Sequence, residues 1–469
     1  MHAPVSPSLS LAGLSWFAIA RIGLVQASIG ALVMMATTVL NRLMVVEYAL
    51  AAAIPAGLVA WHYGVQMARP LWGHGSDQGR ARTPWIIGGI AVLATGAILA
   101  SQATLMMDAP GWGGFALAVL AYTLIGIGVG AAGTSALALL ASSVAPERRA
   151  AAAALTWIMM IAGIVVSAIT VGALIKPFTP ERLMLVACGL GAVALLVSIA
   201  ATFRLERGHH VFAETAKSGE TPDFRAALRE IFAEAAARRF TIFIFVSMVA
   251  YNMQDLILEP FAGLIFGMAP GDSTQLGGML NAGGLAGMIV AGIGGSAFQA
   301  RMPTDLRVWI VGGCLGSAIG LGGLAMAAMV GPGWPLTANV LALGFCNGVF
   351  AVAAIGAMMG LAGAGENTRE GVRMGVWGAS QAIAFGLGGL LGAVGVDIAR
   401  AVLGDDGAAF QAVFAFEGAL FVFAAALALR IAGRTGGSRE QAKALANASG
   451  AAPAGPQDQP LTKDQEVFA

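Results

Sequence analysis

The stretch Thr241-Ile-Phe-Ile-Phe-Val-Ser-Met-Val-Ala-Tyr251-Asn252-Met-Gln254-Asp255-Leu-Ile-Leu-Glu259-Pro260-Phe-Ala-Gly-Leu-Ile-Phe266 governs how the rest of the chain is read. As a helix it is long enough for one bilayer crossing, because about 20 apolar residues span the hydrocarbon. Inside it stand two carboxylates four residues apart, which a regular helix places on one face. An ionised carboxylate in hydrocarbon is costly unless it finds a partner, a proton or water. Asp255 and Glu259 are therefore either a functional acid pair at depth, or a polar helix end near the far interface with Pro260 relieving the last turn.

The whole chain shares this character. Of its 469 residues 58% are hydrophobic and 11% charged, with mean hydropathy +0.79; soluble domains carry about 25% charged residues. The composition is that of an integral membrane protein. A net charge of +1 argues against nucleic acid as a partner. Cys188, Cys314 and Cys346 lie far apart in apolar runs, without metal or disulfide spacing. The 65 glycines suit close packing of membrane helices. No basic segment precedes the first apolar run, so a cleaved signal is not expected.

Apolar runs at 21–40, 50–68, 85–106, 115–140, 151–175, 183–203, 240–266, 274–298, 308–330, 336–362, 374–398 and 410–432 predict twelve crossings. Placing both termini and the 204–239 loop in the cytoplasm puts 22 of the 26 basic residues inside, a strong positive-inside bias. The halves echo each other. Arg82-Thr-Pro-Trp85-Ile-Ile-Gly-Gly opens the third span and Arg307-Val-Trp309-Ile-Val-Gly-Gly the ninth. Arg149 precedes Trp157 by the spacing that separates Arg369 from Trp377. Asn41-Arg42-Leu-Met-Val-Val-Glu47 closes the first span as Gln254-Asp255-Leu-Ile-Leu-Glu259 closes the seventh. Six crossings per half give two parallel repeats. The expected organisation is a cytoplasmic segment 1–20, a six-helix bundle 21–203, a cytoplasmic loop 204–239, a second bundle 240–433, and a disordered cytoplasmic tail 434–469. Phe224, Leu228, Ile231 and Phe232 predict a short surface helix in the central loop; His209-His210 there are read as solvated.

Arg42 and Asp255 hold equivalent places with opposite charge. They predict an ion pair between the halves within a central cluster of Arg42, Glu47, Asn252, Gln254, Asp255 and Glu259, which either lines a gate or simply clamps the bundles. Gly73-His-Gly75-Ser-Asp77-Gln-Gly79-Arg80-Ala-Arg82 joins the second and third spans. Its glycines suit a tight turn, and Asp77 can cap the next helix or bind arginines across the halves, as a cytoplasmic gate would. This loop resembles the signature of the major facilitator superfamily, and twelve spans with a long middle loop agree with that all-α fold. Gly128-Val-Gly130-Ala-Ala-Gly133 matches a dinucleotide-binding pattern, but it sits inside a span and reads as helix packing.

A narrower resemblance is carried by Leu40–Glu47, Arg69–Asp77, Arg82–Ile86, Gln254–Pro260 and Met374–Ala384. These stretches resemble the PucC/LhaA family, a bacteriochlorophyll-delivery branch of the superfamily. They are most similar to a sub-branch found among bacteriochlorophyll-synthesis genes. The resemblance implies a protein of the bacterial inner (intracytoplasmic) membrane that helps assemble light-harvesting or reaction-centre complexes. Its implied partners are lipid, antenna or reaction-centre polypeptides and bacteriochlorophyll-synthesis enzymes, with bacteriochlorophyll as cargo rather than catalytic cofactor. No catalytic or metal site is expected. Prenyl transfer needs Asp-rich motifs holding Mg²⁺, and the only adjacent aspartates are Asp405-Asp406, in a predicted outer loop. A magnesium tetrapyrrole would take an axial ligand from His62, with Gln66 one turn on, or from Gln381; each is equally a helix–helix hydrogen-bonding group. Trp61, Trp85, Trp157 and Trp377 are either stacking platforms or interface anchors. Two other functions remain open: a proton-coupled exporter of a small amphipathic solute with Asp255 or Glu259 as proton carrier, and a pigment-free chaperone of antenna helices.

Overall fold

A computed structural model describes residues 14–68, 81–107, 111–144, 148–206, 235–299, 306–362 and 370–432, and among these there is no β-strand. In hydrocarbon the backbone has no water to bond, so a chain this apolar folds into helices, which satisfy their own N–H and C=O groups. α1 (Trp16–Met34) runs on through π-helical stretches Met35–Leu40 and Leu43–Glu47. α2 (Ala53–Val65) is short; α3 (Thr83–Met106), α4 (Gly113–Ser143), α5 (Arg149–Leu174) and α6 (Pro180–Thr202) complete the first half. The second half holds α7 (Ala235–Met253), α8 (Pro270–Gln299), α9 (Leu306–Val330), α10 (Leu336–Ala362), α11 (Glu370–Leu403) and α12 (Asp406–Ala432). Among the described residues, ten helical segments are long and apolar enough to cross a membrane. The predicted gating-loop residues Gly73, Asp77, Gly79 and Arg80, the central-loop helix and the tail lie outside the described residues.

The seventh crossing departs from the expected single rod. α7 stops at Met253, a 3-10 turn covers Gln254–Leu256, and a short helix Leu258–Phe266 resumes. Pro260 sits in the first turn of that helix, where a missing N–H is tolerated. Asp255 and Glu259 consequently do not share a face: Asp255 is exposed while Glu259 is buried. The short helix ends on Gly267 with φ 65°, a left-handed cap that glycine adopts without steric cost.

The halves meet through α2 against α11 and α5 against α8. Adding six to each number turns the first pair into α8 against the equivalent of α5, so these are one contact repeated by the pseudo-symmetry of two parallel repeats. Within the halves, glycine sets the closest approaches. A Cβ on Gly128 would stand 2.6 Å from the Leu93 backbone nitrogen, and one on Gly89 would stand 2.6 Å from that of Ala132. The dinucleotide-like motif is thus part of the α3–α4 crossing. The α8–α10 seam is tighter still, since a Cβ on Gly348 would lie 1.9 Å from the Gly284 carbonyl oxygen.

Gly348→Ala therefore forces two backbones apart. It is expected to lower the thermal unfolding midpoint of the purified protein, with a loss of about 1–3 kcal/mol for overpacking. Gly312→Ala on α9, where an added Cβ meets nothing within 4 Å, is expected to leave that midpoint unchanged or slightly raised.

Candidate functional site

Between the halves lies a cavity with about 930 Å³ of atom-free space, counting its mouth. The first half contributes Tyr63 from α2 and Trp157, Met160 and Ile164 from α5. The second contributes Tyr251, Asn252, Gln254 and Asp255 from the broken crossing, with Asn281 from α8, Asn347 from α10 and Phe385 from α11. Tyr251 and Phe385 stack with ring centroids 6.2 Å apart. The Asn252 amide donates to the Phe385 carbonyl at 2.6 Å, and Ser317 donates to Asn347 at 2.7 Å. Among the described residues, Asp255 is the one charged side chain in the lining. The lining is thus aromatic and thioether surface, several amides and a single carboxylate, suited to a largely apolar guest with a few polar or positive points.

Polar bridges between the halves gather at one end, where α1, α5, the seventh crossing and α11 finish. Pro260 has no N–H to offer the carbonyl of Leu256, and the Asn41 side-chain amide donates to that carbonyl from the other half at 2.8 Å. The cap at Gly267 leaves the Met268 carbonyl free to accept from Arg42 at 2.6 Å. Asp397 of α11 accepts from the backbone N–H groups of Ala52 and Ala53 at 3.0 and 2.7 Å, capping a helix that has no capping residue of its own. Lys176 pairs with Asp272 beside the close approach of Gly172 to Gly271.

Arg42 is 3% exposed, and it pairs with Glu47 from its own crossing rather than with Asp255. The π-helical turns bring residues five apart over one another, so Glu47 reaches the guanidinium first. Glu259 packs against Gly277 and Thr38, within the electrostatic reach of Arg42. Of the sequence-predicted cluster, Asn252, Gln254 and Asp255 line the cavity, whereas Arg42, Glu47 and Glu259 belong to the bridged end. His62 and Gln66 do not line the cavity. The His62 ring is buried, bonds the Val59 carbonyl and packs beside Tyr63 and Tyr122. Gln381 lies on α11, and its side chain is outside the description. Trp157 faces the cavity, while Trp61 donates to Thr123 on α4 at 2.8 Å, away from it.

At the opposite end of the first half, the Glu206 carboxylate accepts from the backbone N–H groups of Arg82 and Thr83 at 2.7 and 3.1 Å, capping α3. Asp405 caps α12 by accepting from Ala408, and Asp406 pairs with Arg400, so the adjacent aspartates serve a helix start. Sequence reasoning passed over Asp397 and Glu417. A helix start at Leu50-Ala-Ala-Ala53 with no capping residue signals the first, and a lone acid in Phe414-Ala-Phe-Glu417-Gly-Ala-Leu-Phe421 signals the second.

A multi-pass helical membrane protein with two like-oriented halves around a central cavity has the fold of the major facilitator transporters. A bacterial homologue of the human lysosomal transporter Spinster, inward-facing and unoccupied, aligns with TM-score 0.61 at 17% identity, over 90% of this chain and 96% of that one. The peptide transporter POT in complex with sulfate aligns with TM-score 0.66 at 14% identity, over 91% and 97%. At such identities the likeness is one of fold. The family model described as PUCC protein matches residues 39–436, and the chain belongs to that family. It is 49% identical to the bacteriochlorophyll synthase 44.5 kDa chain of Rhodobacter capsulatus, covering 91% of this chain and 98% of that protein. It is 30% identical to the protein PucC of the same organism, over 89% and 92%.

Because Arg42 is buried, pairs with the Glu47 carboxylate and donates to a carbonyl of the other half, Arg42→Gln is expected to cost about 3 kcal/mol. Lys176→Gln removes a half-exposed pair and is expected to cost about 0–1 kcal/mol. Thermal unfolding of the two purified variants side by side checks the order.

Proposed function

We propose that this chain handles bacteriochlorophyll in the membrane, holding the pigment in the central cavity and passing it to light-harvesting or reaction-centre polypeptides as they assemble. The observation that carries the reading is the cavity itself, where Trp157, Tyr63, Tyr251 and Phe385 offer flat apolar surface around one carboxylate and several amides. A tetrapyrrole is a flat, mostly apolar guest with polar groups at its rim, and aromatic faces with a few placed polar groups are what such a guest needs. The relatives named for bacteriochlorophyll synthase and PucC support the pigment as the class of cargo.

Carriage rather than catalysis is the reading that the family and the transporter fold support. Asp405 and Asp406, the one adjacent pair, are committed to a helix cap and an ion pair. The word synthase in a relative's name then fits a protein acting beside pigment synthesis, taking up its product.

The positive-inside bias supports both termini in the cytoplasm of a bacterial inner membrane. With that orientation the bridged end, carrying Asn41, Arg42, Asp272 and Asp397, faces the outside, and cargo enters from the cytoplasm or the inner leaflet. Domain limits at 21–203 and 240–433 suit this reading, with the two bundles rocking about the cavity.

Purification from a phototrophic host followed by an absorption spectrum tests the proposal. Bound bacteriochlorophyll is expected at near one per chain, falling by several-fold in Trp157→Leu while the protein remains folded. A colourless protein that co-purifies with antenna polypeptide would replace this reading with that of a pigment-free chaperone. In a separate test of orientation, reporters fused after the tail and within the 204–239 loop are expected to report cytoplasmic placement.

A further inference from the structure

Three asparagines line the central cavity from three helices of the second half: Asn252 on α7, Asn281 on α8 and Asn347 on α10. Each is tied at one end of its amide. Asn252 Nδ2 donates to the Phe385 carbonyl at 2.6 Å, and Asn281 Nδ2 donates to the Gly277 carbonyl of its own helix at 3.0 Å. Asn347 Oδ1 accepts from Ser317 at 2.7 Å. An amide has one donor end and one acceptor end, so tying one decides what the other presents. Asn252 and Asn281 present oxygen, and Asn347 presents an NH₂ group. Among the described residues neither of the two oxygens accepts a hydrogen bond. Gln254 Oε1 also lacks a donor, but it is sealed inside the protein.

Asn252 is the more firmly fixed of the two oxygen donors. It is 7% exposed and its tether crosses to α11, whereas Asn281 is half-buried and hangs from its own helix. Glycine lets α11 lie directly on it: a Cβ on Gly388 would stand 3.0 Å from Asn252 Cβ and 2.7 Å from the Val249 carbonyl oxygen. The neighbouring rings of Tyr251 and Phe385 are stacked on each other. The Asn252 oxygen is therefore held in place before any guest arrives, and little side-chain freedom is lost when one binds.

Magnesium at the centre of a tetrapyrrole is a hard cation that takes oxygen readily at its axial position. His62 and Gln66, whose chemistry also suits ligation, do not line the cavity. Asp255 offers the rival oxygen. A carboxylate there would have to shed its water to bind the metal and be separated from it again on release, at a cost that a low dielectric enlarges. A neutral amide oxygen avoids both costs, as a carrier that must let go of its cargo requires.

We propose that Asn252 Oδ1 is the axial ligand of the magnesium in a pigment held by the cavity, replacing a water on the metal. The inference rests on the pigment-handling reading and names the group that distinguishes a magnesium tetrapyrrole from other flat apolar guests.

Loading the purified full-length protein with bacteriochlorophyll, and separately with its magnesium-free counterpart, tests the assignment. The wild type is expected to bind the magnesium pigment about tenfold more tightly, the preference that one polar anchor supplies. Asn252→Leu, of similar volume, and Asn252→Ala are expected to bind both pigments alike, and to shift the absorption and resonance Raman bands that report magnesium coordination. Added imidazole is expected to restore a coordinated magnesium in Asn252→Ala, where side-chain volume has been removed. A wild type without preference, or either folded variant keeping the wild-type preference and bands, would overturn the assignment while leaving pigment handling intact. A wild type that takes up neither pigment would overturn the pigment-handling reading, and the assignment with it.

Discussion

Pro260 has no N–H to give, so the carbonyl of Leu256 is left without a helical partner, and the amide of Asn41 reaches across from the other half to take it at 2.8 Å. In a membrane this is a demanding position, because an unmet carbonyl has no water to fall back on. The break in the seventh crossing thus obliges the two bundles to meet. Arg42 on the Met268 carbonyl and Asp397 on the start of α2 follow the same logic, each satisfying backbone groups that the neighbouring half leaves open. These bridges are made of backbone geometry as much as of charge. A structure tied in this way can be released by losing a few hydrogen bonds, each worth about 1 kcal/mol net.

The same break separates the roles of two acids that look alike in the sequence. Asp255 turns to the cavity, and Glu259 is buried near Arg42 beside the bridged end. Glu417 on α12 is fully buried, and neither of its carboxylate oxygens has a hydrogen-bond partner. Glycine plays the complementary part. Along α8 and α10 it removes side chains, so two backbones form one wall of the cavity through Gly284 and Gly344.

Among the described residues, the cavity lining carries a single charge, Asp255, amid rings, thioethers and amides. A strongly hydrated solute would need more fixed charge to replace its water, whereas a flat apolar guest needs surface and only a few anchors. This is the physical ground on which the pigment-handling reading rests, beside the kinship with the PucC proteins.

Amino-acid sequence alone determined the membrane class, the all-helical architecture and the twofold internal repeat, because each follows from local quantities: run length, hydropathy and the order of Trp, Arg and Gly motifs. It also singled out Asn252, Gln254 and Asp255, since polar groups in an apolar run stand out by composition. The tertiary structure decided which groups meet. Arg42 chose Glu47 over Asp255 because π-helical turns altered the register, a change that residue spacing does not encode. His62 went to the α4 side because the rotation of α2 is fixed by its neighbours in space. Asp397 acquired its role only when α11 reached the start of α2, a contact between residues hundreds apart, set by packing rather than by any pattern along the chain.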